Sequence, residues 1–311
     1  MTFFCLKLAK SSIILKIMSK PSIEKTLTSN ETFVYKDTIG DFFNPHWHFH
    51  PEFQISFIVK GIGTRFVGDH VQPFEEGDLV FTGPNLPHLW RSDEAYFKGN
   101  GKLTTRGLVI YFDNELLSKS LLNKEEFYKI NKLVKNSIRG IEFYGKTKED
   151  VGKLLLEIAS KKGFKRIMKL LEIIDLLSNS HEYNLLASPG YTNSLKGNDT
   201  EKMRMVYEYV TTHFKSKIAL EEIASMLNMT TTSFCRYFKP RANKTFTRFV
   251  NDIRIGHARK LLLEDNFNIS QISYECGFNT LSNFNKQFKS VAKMCPHEYR
   301  KLFLNIKTSI S

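Results

Sequence analysis

Residues 40–52 read GDFFNPHWHFHPE and place His46, His48 and His50 at alternate positions, followed by Glu52. On an extended strand the three histidines share one face. Neutral imidazoles and a carboxylate suit a divalent transition metal, and they hydrogen-bond a small polar molecule equally well. A fourth histidine, His88, lies in GDLVFTGPNLPHLW over residues 77–90. Trp47 and Trp90, beside these histidines, are chemically suited to stacking on a sugar face or to filling a core. Three uses of the cluster stand open: an effector-binding lining, a metal site, and structural histidines paired with backbone or with Glu52.

A second set of residues has the chemistry to read base edges. In IALEEIASMLNMTTTSFCRYFK (218–239), Leu220, Ile223, Ala224 and Leu227 form one apolar helix face, Asn228-Met229 a turn, and Thr230 an N-cap. Phe234 and Phe238, four apart, face the core, so Thr232, Ser233, Cys235 and Arg236 point elsewhere. The pattern repeats in ISQISYECGFNTLSNFNKQFK (269–289). Ile269 and Ile272 face inward, Gly277 suits a left-handed turn, Thr280 is the cap, and Phe284 and Phe288 again stand four apart. Ser282, Asn283, Lys286 and Lys289 are left outward. A buried support helix and an outward second helix make a helix-turn-helix. Arg236 can pair bidentately with guanine and Asn283 with adenine, while Lys239, Lys244, Lys286 and Lys289 suit phosphates. The helical period over 245–263 predicts a connecting helix between the two units.

Charge agrees with this division. Residues 201–311 carry 18 Lys and Arg against 9 Asp and Glu, whereas residues 21–200 hold 23 of each, within a chain of 311 residues and net charge +13. A basic half beside a neutral one is the footprint of backbone-phosphate binding. Signatures of single-strand RNA modules are missing. No apolar run approaches the ~20 residues needed to span a bilayer, so no membrane partner is expected. Four scattered cysteines without a CxxC pair read as free thiols of a reducing cytoplasm.

The elements that must position these residues fall into two domains of an α+β chain. Residues 1–20 form an extension, expected to be disordered, with Met18 a second candidate start. Residues 21–112 carry short β-branched and aromatic runs cut by Gly and Pro turns, which predicts a sandwich or barrel. Residues 113–186 are predicted helical. There Ile167, Leu170, Leu171, Ile174 and Leu177 form a stripe for a homodimer seam or for packing under the barrel. Residues 187–200 read as a linker and 201–305 as the all-α double helix-turn-helix.

Over the last hundred residues the chain resembles the AraC/XylS family of transcription regulators. The resemblance rests on Glu221-Glu222-Ile223-Ala224, Phe238-Lys239, Arg254 with Ala258, Ile272, Gly277-Phe278, Phe284, Phe288-Lys289, Pro296 and Tyr299-Arg300. By position it implies base contacts from Thr232, Cys235, Arg236, Ser282, Asn283 and Lys286. Asn243 and Lys293 stand where the family has Gly, Ser273 replaces Ala, and Cys295 replaces Thr. The histidine segments resemble the two motifs of the cupin barrel, which implies a site at His46, His48, Glu52 and His88. Gly83 and Asn85 depart from the second motif. The resemblance implies a sequence-specific regulator of double-stranded DNA, controlled by a small-molecule effector (a sugar is one class) in the barrel. Its expected partners are RNA polymerase and a second copy of itself. No catalytic residue and no fixed cofactor are expected. The alternative is a metal-dependent cupin enzyme fused to a DNA-binding domain, with a divalent metal on those four residues.

Overall fold

Alternation of apolar and polar side chains builds the first half. The structure, a computed structural model, describes residue 27 and residues 31–43, 47–98, 103–191, 197–263 and 267–302. The extension expected over 1–20, and His46, lie outside these residues. Strands β1 (Phe33–Gly40), β2 (Phe53–Lys60), β3 (Gly63–Val67), β4 (His70–Phe74), β5 (Leu79–Thr82), β6 (His88–Ser92), β7 (Thr105–Phe112), β8 (Ile141–Phe143) and β9 (Tyr183–Leu185) form two antiparallel sheets. The larger has the order β1-β7-β2-β5-β8-β9 and the smaller β4-β3-β6. Strand β2, FQISFIVK, shows the logic: Phe53 and Ile55 belong to the core beneath the helices, while Gln54 and Ser56 turn the other way, toward the smaller sheet. Ile58 and Val80 of the large sheet meet Val67 and Trp90 of the small one in a core between the sheets. The result is the cupin-like barrel that the sequence implied.

Five helices follow from this half: α1 (Glu94–Phe97), α2 (Lys119–Leu122), α3 (Tyr128–Ser137), α4 (Gly145–Ile158) and α5 (Phe164–Asn179). The segment expected to be helical over 113–186 therefore also supplies β8 and β9, which extend the sheet beyond β5. In α5, Leu170, Ile174 and Leu177 are buried under the barrel with Ile173. The stripe thus serves packing, while Leu171 stays 40% exposed beside Met168 and Phe164. The departures from the second cupin motif also have a local reason. The Gly83 N–H donates to Ser137 O at 2.8 Å, a bond proline cannot make, and Asn85 takes the left-handed conformation (φ 57°) usually given to Gly.

The second half is all helical: α6 (Gly197–His213), α7 (Leu220–Met226), α8 (Thr231–Ala242), α9 (Phe246–Leu263), α10 (Ile269–Glu275) and α11 (Leu281–Ala292). The linker expected over 187–200 is shorter at both ends. Ala187 and Tyr191 are buried on the barrel, and helix α6 already begins at Gly197. No helix among the described residues is long and apolar enough to cross a membrane.

The halves share one core. Phe66, Val71 and Leu89, on the outer face of the small sheet, join Tyr207, Val210 and Phe249 of the helical domain. Trp47 stacks on Tyr207 with ring centroids 4.3 Å apart and planes 15° from parallel. Polar contacts rim this core. Asp69 accepts from Ser188 N at 2.9 Å and from Asn243 Nδ2 at 3.0 Å, and Lys260 pairs with Asp93 at 2.6 Å.

Candidate functional site

The two helix-turn-helix units are built alike. Ile223 and Ala224 bury helix α7, and Thr230 caps α8 by accepting from Ser233 N at 3.2 Å. In α8, Phe234, Phe238 and Ala242 are buried, and Phe246 meets both phenyl rings edge-on. In the second unit Asn268 and Gln271 form a capping box on α10, Thr280 caps α11, and Phe284, Phe288 and Ala292 are buried. Gly277 has φ 79°, and a Cβ there would stand 2.5 Å from Phe214 O, so both the turn and its tight seat against α6 require glycine. Helix α9, 18 residues and about 27 Å long, joins the units. Arg254 on α9 donates to the carbonyls of Phe214 and Ser216, each at 2.8 Å, and ties that rod to the end of α6.

Burying the phenylalanines turns the opposite faces to solvent. Thr232, Ser233, Cys235, Arg236 and Lys239 are exposed on α8; Ser282, Asn283, Lys286 and Lys289 are exposed on α11. Ser233 Oγ also accepts from Thr230 Oγ1 at 2.9 Å, so its hydroxyl belongs to the cap as well. Lys244 differs from the sequence expectation. It is partly buried and its Nζ lies 2.6 Å from Asp252 Oδ2, with Arg248 on the same carboxylate at 2.9 Å. Lys244 is thus held to Asp252 and turned largely out of solvent, in a cluster of two cations on one carboxylate. Both departures at the helix ends are left-handed, Asn243 at φ 52° and Lys293 at φ 63°.

The barrel brings His48 and His88 of the motif assignment together with His50, among the described residues. His48 and His88 form an antiparallel bridge, with ring centroids 4.5 Å apart. His50 is only 2% exposed, and its ring lies 5.1 Å from that of His88. The fourth partner is Gln54, whose Oε1 lies 3.0 Å from His50 Nε2 and 3.1 Å from His88 Nε2. Glu52 is not in the ring of side chains; its carboxylate stands behind His50, 3.3 Å from Nδ1. Burial, then the neighbouring His48 and His50, hold His88 well below the usual imidazole value, so it stays neutral. Among the described residues the cluster is His48, His50, His88 and Gln54, with Glu52 behind His50; His46 of the motif-based set lies outside them.

The tryptophans also move. Trp47 faces the helical domain rather than a ligand. Trp90 is 9% exposed and donates from Nε1 to Asp78 Oδ2 at 3.1 Å, beside Arg65. Arg65 is fully buried and bridges Asp78 and Glu142, holding β3 to the large sheet. Neither indole offers an open face for stacking. Gln54 and the Tyr207 contact had escaped sequence reasoning. The signal for Gln54 was its inward parity on β2; the residue facing Trp47 lies 160 positions away and left no local signal.

Comparison with known proteins covers both halves. The family described as "AraC-like ligand binding domain" matches residues 30–188, and "Helix-turn-helix domain" matches residues 223–302. The chain is 26% identical over 290 residues to the uncharacterized HTH-type transcriptional regulator YdeC of Bacillus subtilis, covering 89% of this chain and 96% of that protein. It is 29% identical over 154 residues to the HTH-type transcriptional activator RhaS of Mannheimia succiniciproducens, covering 46% of this chain and 58% of that one. Among solved structures, ToxT from Vibrio cholerae is 15% identical and covers 87% of this chain and 98% of its own, with a TM-score of 0.34.

Proposed function

Because the chain belongs to the AraC family of transcription regulators, with a ligand-binding barrel and a DNA-binding helix-turn-helix half, we propose which residues carry each task. Arg236 reads guanine O6 and N7, and Asn283 reads an adenine. Thr232, Ser233, Cys235 and Ser282 line the same groove contacts. Lys239, Lys286 and Lys289 hold phosphates and make binding salt-dependent. The observation that carries this reading is the twin burial of Phe234/Phe238 and Phe284/Phe288, which leaves two polar helix faces outward.

The effector binds among His48, His50, Gln54 and His88 and acts on DNA affinity by linkage between the two sites. The barrel serves as a sensor and not as an enzyme. The regulator works in the cytoplasm, touches RNA polymerase, and pairs with a second copy through Phe164, Met168 and Leu171, which are 71%, 56% and 40% exposed on α5.

Fluorescence anisotropy of the full chain on duplexes from upstream of its own gene tests the main claim. Tight binding to one fragment, weakening steeply with salt, is expected. Absence of binding to every fragment at low salt would sink it. Sedimentation of the wild type against Met168→Glu tests the pairing face.

A further inference from the structure

Between the two helix-turn-helix units lies a cleft of about 240 Å³ that the reading of bases leaves unused. Lys217 and Leu220, at the entry to α7, form one wall. The first half of α9 is the floor, and the turn Gly277–Asn279 is the far wall. Asn283 of α11, exposed and assigned above to a base edge, also lines it, so the cleft opens on the DNA-reading side. Recognition helices in successive major grooves leave the minor groove and its two backbones between them. A cleft between the units on that side faces those phosphates.

The lining suits an anion. Among the described residues that form it there are two cations and no carboxylate. Arg254 donates at 2.8 Å to the carbonyls of Phe214 and Ser216, which are neutral, so its charge has no counter-ion among the described residues. Lys217 is exposed and likewise forms no ion pair among them. Asn251 is the sharper sign. It is only 9% exposed, yet its side-chain amide makes no hydrogen bond among the described residues. The amide is not sealed in the core either; it opens on the cleft. A buried amide so placed calls for a ligand or water. The next residue, Asp252, turns to Lys244 and Arg248 and leaves the cleft free of its charge. Phe246, Val250 and Phe278 supply the apolar part of the lining, which suits the face of a deoxyribose beside its phosphate.

We propose that this cleft holds one phosphodiester of the DNA strand running between the two major grooves, with Lys217 and Arg254 meeting its charge and Asn251 and Asn279 donating to its oxygens. The proposal rests on the reading of α8 and α11 as the DNA-facing helices and adds to it a contact that reads no base. Because both units wall the cleft, the contact also fixes the distance between the two recognition helices on the duplex.

The test takes the upstream duplex that the full chain binds most tightly and scans single methylphosphonate linkages through it, each removing one phosphate charge, with anisotropy as the readout. One linkage between the two contacted grooves should cost the wild type about tenfold, the size of a charge-assisted hydrogen bond. Lys217→Ala, on an exposed residue, should weaken cognate and scrambled duplexes alike and lower the salt slope by about one. It should feel the sensitive linkage by less than about threefold, because the partner is already gone. Asn251→Asp keeps the shape and sets a carboxylate in the cleft. It should weaken DNA binding by more than about tenfold, while its urea midpoint stays at or above that of the wild type because the new carboxylate faces Arg254. Absence of any sensitive linkage, or a linkage that costs wild type and Lys217→Ala equally, overturns the contact. Inorganic phosphate that stabilises the DNA-free chain, without a sensitive linkage, gives the cleft to a free anion and overturns it too. Wild type that binds DNA with no sensitive linkage fails the cleft alone. Wild type that binds no fragment overturns the DNA-facing helices together with the cleft.

Discussion

Truncating Trp47 to alanine should separate the two halves of the molecule. Trp47 is 2% exposed, and an indole of this kind buries 150–250 Å². At ~25 cal/mol/Å² that burial is worth about 4–6 kcal/mol, and partial collapse of the site leaves a net cost of about 3–5 kcal/mol. Part of that cost is shared with Tyr207, whose ring lies 4.3 Å away and nearly parallel. Such a pair contributes about 0.5–1.5 kcal/mol beyond area. A double-mutant cycle of Trp47→Ala and Tyr207→Ala, followed by urea unfolding, should return a coupling of that size. Hydrogen exchange gives the location. Amides of Phe66–Val71 and of Met203–Val210 should exchange faster together, while Phe53–Ile55 and Leu108–Ile110, in the core under the helices, keep their protection. Additivity of the two substitutions within ~0.5 kcal/mol, or faster exchange confined to the barrel, would refute the shared core as the coupling element.

Four further outcomes are expected. Arg236→Ala should cost ~1–3 kcal/mol on the cognate duplex and relax preference at one position, whereas Lys289→Ala should weaken all duplexes alike and flatten the salt slope by about one unit, both read by anisotropy. Ser273→Ala should stabilise by ~1 kcal/mol, because the Ser273 hydroxyl is fully buried without a hydrogen-bond partner; Lys293→Gly should add a similar amount by relieving a left-handed lysine, both seen as higher urea midpoints. Arg65→Ala leaves Asp78 and Glu142 facing each other without their cation and should cost ~3–5 kcal/mol of barrel stability by the same unfolding measurement. His257 is pushed down to about 4, first by burial and then by Lys215 and Lys260. The unfolded chain therefore takes up a proton below pH ~6.5 that the folded chain refuses, and stability falls between pH 6.5 and 4 by up to about 3 kcal/mol. Urea midpoints of His257→Gln over that range should fall less than those of the wild type.

The helical half was legible because its signals are local. Phenylalanines four apart, Thr230 and Thr280 as caps, and Gly277 each state their role within a few residues. Lys244 was not, since its partner Asp252 lies two helical turns on, past the bend into α9. The barrel was legible as strands and obscure in register. A shift of two residues keeps every side chain on its own face, so alternation alone cannot tell His46–His48 from His48–His50. The pairing of His48 with His88 fixes the register of the described residues. Trp47 is a different case. Its parity already set it opposite the histidines, and the partner it meets could not be found without the tertiary fold.

The three-stranded sheet β4-β3-β6 is a wall one residue thick. His88 and Trp90 look into the barrel, and Leu89 between them looks into the core shared with the helical domain. Arg65 and Phe66 divide in the same way. Ligand preference and domain docking are therefore written in alternate letters of the same short strands. A lineage that changes what the barrel recognises edits the neighbours of the docking residues at the same stroke. Divergence in effector and divergence in regulatory response are thus expected to travel together along this branch of the family.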